Sequence, residues 1–317
     1  LPNPLNAALN VFNFGGFTMR PITYALSSIA LCAAPAFAQD VPPVTTHDLG
    51  DGIYALTNDR AGNVGILAGP DGVFMIDTQM EIFAPSLEDA IHAVSDGDDV
   101  DLVLNTHLHG DHVLGNAYFA ERGATVMAHP NVRPGLIEPN FMALSGRTPD
   151  ALSGLALPTV NVDEGDTVTM NGQTARFYHA PNAHTDGDLF VVFEEANVIH
   201  AGDLLFNRRF PFIDLDNGGS VQGYIRGMEK IIAQADEDTV IISGHGPMAS
   251  VADLQASVDM LNAGQAAVMA LVSEGKTLEE IQAAMPLADY HSDWNWGFIT
   301  TERMVWTFYR DMTGLTE

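Results

Sequence analysis

Short apolar runs separated by turn residues dominate the first half of the chain. Ile53 to Leu56, Gly65 to Ala68 and Val73 to Ile76 read as consecutive strands, punctuated around Asn63 and by Gly69-Pro70-Asp71-Gly72. Apolar positions then switch to helical spacing from Pro85 to Val94, and Leu102 to Leu104 forms a buried strand ending at Asn105-Thr106. A helix is expected to open at His112 and run through Phe119. The second half repeats the order, with strands near Val168 and over Arg176 to Tyr178, Leu189 to Phe193 and Val198 to His200. A helix from about Val221 to Ala233 and the apolar run Val240 to Ile242 follow. Beyond Gly246-Pro247, the amphipathic stretch from Val251 to Ser273 predicts one long helix. This mixture predicts an α/β fold arranged as a two-halved sandwich. Between the halves, Asn131 to Val160 is rich in Pro, Gly and Leu with weak periodicity. It reads either as a lid or substrate wall, or as a connector with short helices of its own.

The first 38 residues carry a different pattern. Met19-Arg20 precedes the largely apolar run Ile22 to Ala34, and Ala36-Phe37-Ala38 forms a small-residue cleavage site before Gln39. The expected organisation is therefore 1–38 as an upstream extension plus secretory signal peptide, and 39–317 as one domain, periplasmic or secreted. The apolar run is shorter than the roughly 20 residues a membrane span needs, so no membrane attachment is expected after cleavage. Cys32, the one cysteine, falls in the leader, which leaves the mature chain no thiolate and no intrachain disulfide.

Charge narrows the partners. The full chain carries a formal −28, and Arg20 is the only charged residue before Gln39, so the remainder carries 12 − 41 = −29. Such a field opposes polyanions and argues against nucleic acid, leaving a small-molecule substrate as the expected partner. With Lys230 and Lys276 as its only lysines, the surface also suits saline surroundings.

The densest chemistry lies in His107-Leu108-His109-Gly110-Asp111-His112, on the turn that leaves the Leu102 to Leu104 strand. Two histidines one residue apart on an extended turn can aim both rings at one ion, while Asp111 and His112 lie further round a bend that Gly110 permits. One loop can thus feed two metals. Three more donors occupy similar places: His184 on the turn before Leu189 to Phe193, Asp203 after Val198 to Gly202, and His245 after Val240 to Gly244.

These segments, in this order, resemble the metallo-β-lactamase superfamily, and the likeness covers nearly the whole mature chain. The resemblance implies a four-layer αββα sandwich. It also implies that His107, His109 and His184 bind a first metal, that Asp111, His112 and His245 bind a second, and that Asp203 bridges the two. Two Zn2+ ions are the implied cofactors, with iron or manganese competing for the harder oxygen donors. Two cations about 3.5–4 Å apart can share a water and lower its pKa towards about 7, supplying a hydroxide nucleophile without Ser or Cys. Asp111 is placed to orient that nucleophile as well as to ligate. The expected reaction is hydrolysis of an ester, thioester, lactone or amide.

The lactamase subclass with a Cys on its second metal has no counterpart here. Asp203 takes the equivalent strand end, as in glyoxalase II and the lactonase branch. After Asp203, Leu204 to Asp214 sets Arg208 and Arg209 among aromatic residues, where either could pair with a substrate carboxylate or serve a structural ion pair. The expected function is an exported binuclear metallohydrolase cleaving a cyclic amide or ester, with β-lactamase activity and hence a place in antibiotic resistance. A lactonase or esterase, a glyoxalase II-like thioesterase and a di-iron redox protein are the alternatives. His47, His92, His129, His179 and His291 lack partners at ligand spacing and read as structural or surface histidines. His200 reads as a core residue or as a group orienting a ligand, and Asp186 and Asp188 as turn-formers.

Overall fold

The computed structural model describes residue 41 and residues 43–315. The expected leader, its cleavage site and Cys32 lie outside these residues. Among the described residues, no helix is long and apolar enough to cross a membrane.

Two sheets form the centre. The first takes its strands in chain order: β1 (Thr45–Gly50), β2 (Ile53–Thr57), β3 (Val64–Gly69), β4 (Gly72–Ile76), β5 (Leu102–Asn105), β6 (Thr125–Ala128) and β7 (Val160–Asn161). It is antiparallel up to β4 and parallel from β4 to β7. The second contains β8 (Thr167–Met170), β9 (Gln173–Ala180), β10 (Asp188–Phe193), β11 (Val198–His200) and β12 (Val240–Ile242), antiparallel except for the parallel pair β11 and β12.

Alternation along the strands puts apolar side chains on both faces of each sheet, so each needs cover on both sides. Ile53, Leu67, Phe74 and Ile76 of the first sheet meet Phe177, Leu189, Val191 and Phe193 of the second in a shared core. Each such fully buried side chain contributes about 1.5–3 kcal/mol. The outer face of the first sheet is covered by Leu87 and Ile91 of α1 (Ala84–Val94) and by Phe119. The second is covered from a large cluster that includes Tyr224, Met228, Leu261 and Phe308. These lie on long helices at Val221–Ile232, Val251–Ser273 and Thr301–Thr313. The layers are therefore αββα, as expected.

Some features depart from the sequence reading. The helix expected from His112 to Phe119 is two short ones, α2 (Gly110–Val113) and α3 (Asn116–Ala120). The break falls at Gly115, whose amide donates to the Gln79 carbonyl and whose Cβ, were there one, would strike the Thr78 carbonyl. Close approach of two backbones requires glycine there. The polar edge strand β1 shows no apolar run and β6 is short, and the pattern marked neither. In the 131–160 segment the structure fits the second of the two readings, a connector with a helix of its own at Val132–Ile137. Its Leu136 and Leu157 pack on Leu108 and Val113, bracing the ligand-rich loop from behind, while Phe141 stays 57% exposed.

Candidate metal centre

Parallel pairing aligns the carboxyl ends of β4 and β5, and likewise those of β11 and β12. The antiparallel β10 begins beside the end of β11. Every candidate donor leaves one of these aligned ends. His107 and His109 follow β5, His184 precedes β10, Asp203 follows β11 and His245 follows β12. Asn63 ties the two sheets together here: its amide N–H donates to Gly244 O at 2.7 Å, and its side chain to Ser243 O at 2.8 Å and Gly246 O at 2.9 Å.

All seven donors converge. One atom each from His107, His109, His184 and Asp203 lie within 4.8 Å of one another, and so do one atom each from Asp111, His112 and His245. Asp203 reaches both groups. Its Oδ1 is 3.1 Å from His112 Nε2, while Oδ2 is 3.4 Å from His184 Nε2, 3.4 Å from His245 Nε2 and 3.7 Å from His107 Nε2. Asp111 Oδ2 is 3.2 Å from His245 Nε2 and 3.7 Å from His112 Nε2. Asp111 and His245 are partly exposed and the other five are buried, so the centre opens on their side.

Hydrogen bonds on the far sides of the rings set which nitrogen faces inward. His112 Nδ1–H donates to Asp77 Oδ2 at 2.7 Å, His109 Nε2–H to Asp214 Oδ2 at 2.8 Å, and His184 Nδ1–H to the Phe212 carbonyl at 2.7 Å. His107 Nδ1–H donates to Thr106 Oγ1 at 3.0 Å, and that hydroxyl donates to Asp77 Oδ2 at 2.8 Å. Asp77 therefore orients one histidine from each group, and also accepts the Thr106 amide at 2.7 Å. His107 Nε2 and Asp203 Oδ1 are left buried without a hydrogen-bond partner. Orphaned acceptors of this kind cost free energy unless something electropositive meets them. Donor chemistry, convergence and these orphans together fit divalent cations, four nitrogen and oxygen atoms on one side and three on the other, with the Asp203 carboxylate common to both.

Titration follows the same logic. Burial, with His112, His184 and His109 nearby, holds His107 well below the usual imidazole value, and burial beside His109 lowers His184 to about 4. Both stay neutral and keep their lone pairs. Burial also lowers His245, but Asp203 and Asp111 outweigh it and raise the imidazole to about 9. For Asp203, burial raises the pKa, yet His112, His245 and His107 hold it well below the carboxylate range. The carboxylates thus demand positive charge at the centre, which bound cations supply.

Glycines let the loops approach. A Cβ at Gly62 would strike the His112 ring, and one at Gly244 would strike Asp203 Oδ1. His200 is buried beneath the Asp203 turn, its Nδ1 accepting the Gly202 amide at 3.2 Å. Asp188 accepts the Thr185 amide at 2.8 Å, closing the His184 turn, and burial pushes it up to about 7. His47, His92 and His291 bond to Thr57, Asp99 and Thr301. His129 and His179 stack with ring centroids 3.9 Å apart and 15° between planes, beside Asp163. A metal must lie near the plane of each imidazole that binds it, and two parallel rings share no such point, so this trio is a stack rather than a chelate.

The two arginines separate. Arg208, with φ 58° and a side chain 75% exposed, points to Asp253 at 3.9 Å and lines a cavity of about 480 Å³ with Asp293 and Trp294, apart from the donor cluster. Arg209 lies over the Trp296 ring at 5.1 Å, and that ring is 6.4 Å from His245. Asp77 and Trp296 went unmarked in the sequence, and Phe206, Phe212 and Asp214 entered only as the surroundings of the two arginines. For Asp77 a signal existed, a carboxylate directly after the apolar run of β4 in the same relation that marked Asp203.

Fold and site define a class of αββα proteins with a histidine and carboxylate cluster at the sheet ends. The chain matches the Metallo-beta-lactamase superfamily over residues 57–245 and belongs to it. This is a superfamily of hydrolase-type metalloenzymes. The chain is 30% identical over 151 residues to the uncharacterized protein ML0493 of Mycobacterium leprae (strain TN), covering 45% of this chain and 68% of that one. It is 31% identical over 105 residues to a hydroxyacylglutathione hydrolase of Rhodopseudomonas palustris (strain BisA53), covering 33% of this chain and 34% of that one. Among solved structures, the sec-alkylsulfatase Pisa1 from Pseudomonas sp. superposes with a TM-score of 0.63 at 16% identity. That match covers 86% of this chain and 50% of the sulfatase, so this chain spans half of the sulfatase's length.

Proposed function

We propose that the protein is an exported hydrolase that uses two divalent cations, zinc foremost, to cleave a cyclic amide or ester, with β-lactamase activity. The observation that carries this reading is the Asp203 carboxylate reaching both donor groups, which a storage or purely structural site does not call for. His107, His109 and His184 would hold one cation, Asp111, His112 and His245 the other, with Asp203 common to both. When bound, the cations supply an acidified water and Lewis-acid polarisation of the scissile carbonyl.

The chain's own residues do the rest. Asp111, partly exposed beside His245, is the carboxylate placed to orient the attacking water and accept its proton. Asp77 and Asp214 fix the ring orientations of His112 and His109. Arg209, half-buried on Trp296, is the cation nearer the centre and so the anchor for a substrate carboxylate, a role Arg208 fills less well from its place beside Asp253. A thioesterase is the second reading, favoured by the identity shared with hydroxyacylglutathione hydrolase.

Zinc-loaded protein from Gln39 onward is expected to turn over at least one of a penicillin, a cephalosporin, a carbapenem, an aliphatic lactone and an acyl thioester. Asp111→Asn is expected to lower that rate by about 10²–10⁴-fold, the range for a lost general base. Turnover of the thioester alone would move the assignment to the second reading. No turnover of any of them would remove the hydrolase proposal.

A further inference from the structure

Aromatic rings lead outward from both donor groups. Phe206 stacks on His245 with ring centroids 4.8 Å apart and 18° between planes, and Phe212 stacks on His109 at 5.2 Å and 29°. Each then meets a ring from the C-terminal segment, Phe206 meeting Trp296 at 6.1 Å and Phe212 meeting Phe298 edge-on at 5.4 Å. Trp296 and Phe298 are 5.7 Å apart at 73°. The six rings make one arc that starts at His245 and returns to His109. Its inner members, Phe206 and Phe212, are buried, whereas Trp296 and Phe298 keep part of their surface in solvent.

The outer pair is held in place. Trp296 Nε1–H donates to the Phe210 carbonyl at 2.9 Å, and Arg303 donates to the Phe298 carbonyl at 2.6 Å. Each ring also carries a guanidinium, Arg209 at 5.1 Å from Trp296 and Arg303 at 5.8 Å from Phe298. In a chain of formal charge −28, these two arginines put positive charge beside the two outer rings. Both rings lie beyond residues 57–245, the part that matches the superfamily, so this wall belongs to the chain's own C-terminal segment.

We infer that Trp296 and Phe298 form the specificity wall of the metal centre and receive a ring-bearing apolar group of an anionic substrate, next to the bond that is cleaved. The inference rests on the hydrolase reading for the site's chemistry, but the wall is a binding surface in its own right. Held aromatic rings take a flat apolar group at low entropic cost, offset-stacked or edge-on, and the adjoining guanidinium groups attract its charge.

Two matched pairs test it on the zinc-loaded protein: benzylpenicillin against 6-aminopenicillanic acid, and the phenylacetyl against the acetyl thioester of one small thiol. Trp296→Ala is expected to lower the ratio of kcat/KM, ring-bearing over ringless, by roughly tenfold or more, with Trp296→Phe recovering most of it. Calorimetric titration with phenylacetate and acetate supplies a readout independent of turnover. Phenylacetate should bind the parent protein tighter than acetate, and Trp296→Ala should erase the difference. If neither pair nor any other substrate of the panel is turned over while phenylacetate still binds through Trp296, the hydrolase reading fails and the wall stands. Phenylacetate binding no tighter than acetate, or an unchanged ratio in Trp296→Ala and Trp296→Phe proteins with parent-like melting temperatures, overturns the wall.

Discussion

Asp203→Asn is expected to reduce bound metal from two equivalents to one or fewer and to lower hydrolysis by more than about a hundredfold, beyond the 10–100-fold typical of losing a group that only supports a ligand. Shape is nearly conserved in this substitution, so the effect isolates charge. The carboxylate faces His112 through Oδ1 and His184 and His245 through Oδ2, and its two oxygens are the only ones placed against both donor groups among the described residues. An amide keeps one acceptor and turns the other towards the centre as a donor, which no cation tolerates. Metal analysis by atomic emission and rates on the same sample check the result. An Asn variant that keeps two equivalents and its full rate would show that Asp203 does not bridge.

Asp77→Ala is expected to weaken metal binding about 10–100-fold although Asp77 stands behind the ligands, and to destabilise the metal-free protein by about 3–5 kcal/mol. The carboxylate accepts the Thr106 amide, the Thr106 hydroxyl and His112 Nδ1–H, all in a fully buried place. Removing it strands three donors and frees both His112 and, through Thr106, His107 to rotate. A positioning role has a distinguishing signature: excess zinc should restore much of the rate in Asp77→Ala, and little of it in Asp203→Asn. Competition with a chromophoric chelator gives the affinities, and denaturant unfolding gives the stability. Parent-like zinc affinity in the Asp77 variant would contradict the role.

The parts of this molecule that could be read from sequence are those in which one strand both buries itself and delivers a residue. Leu102 to Asn105, Val198 to His200 and Val240 to Ile242 announced themselves by apolar runs, and a candidate donor, His107, Asp203 or His245, follows shortly past each end. The cluster of candidate donors could therefore be assembled from local signals plus a resemblance. What the groups behind the donors touch was hidden, because these are contacts rather than patterns, even where position gave a signal, as at Asp77 after β4. Asp77 lies 35 residues from His112, and Asp214 lies 105 from His109. The aromatic arc was hidden for the same reason, since nothing local to Trp296 says that Phe206 and His245 lie beside it. Helix continuity past His112 failed for a tertiary reason, the close approach of Gly115 to the Thr78 carbonyl. Arg208 and Arg209 are adjacent in sequence and read alike, yet the positive φ at Arg208 sends one side chain to Asp253 and leaves the other on Trp296.

The proposal that Asp203 shares two cations is tested most directly by stepwise zinc titration of metal-stripped protein. Zinc binding is followed by calorimetry and hydrolysis is measured at each addition. The account predicts saturation at two equivalents per chain, with most of the rate appearing as the second equivalent binds. Saturation at one equivalent with full activity, or binding of two without hydrolysis of any substrate in the panel, would contradict it.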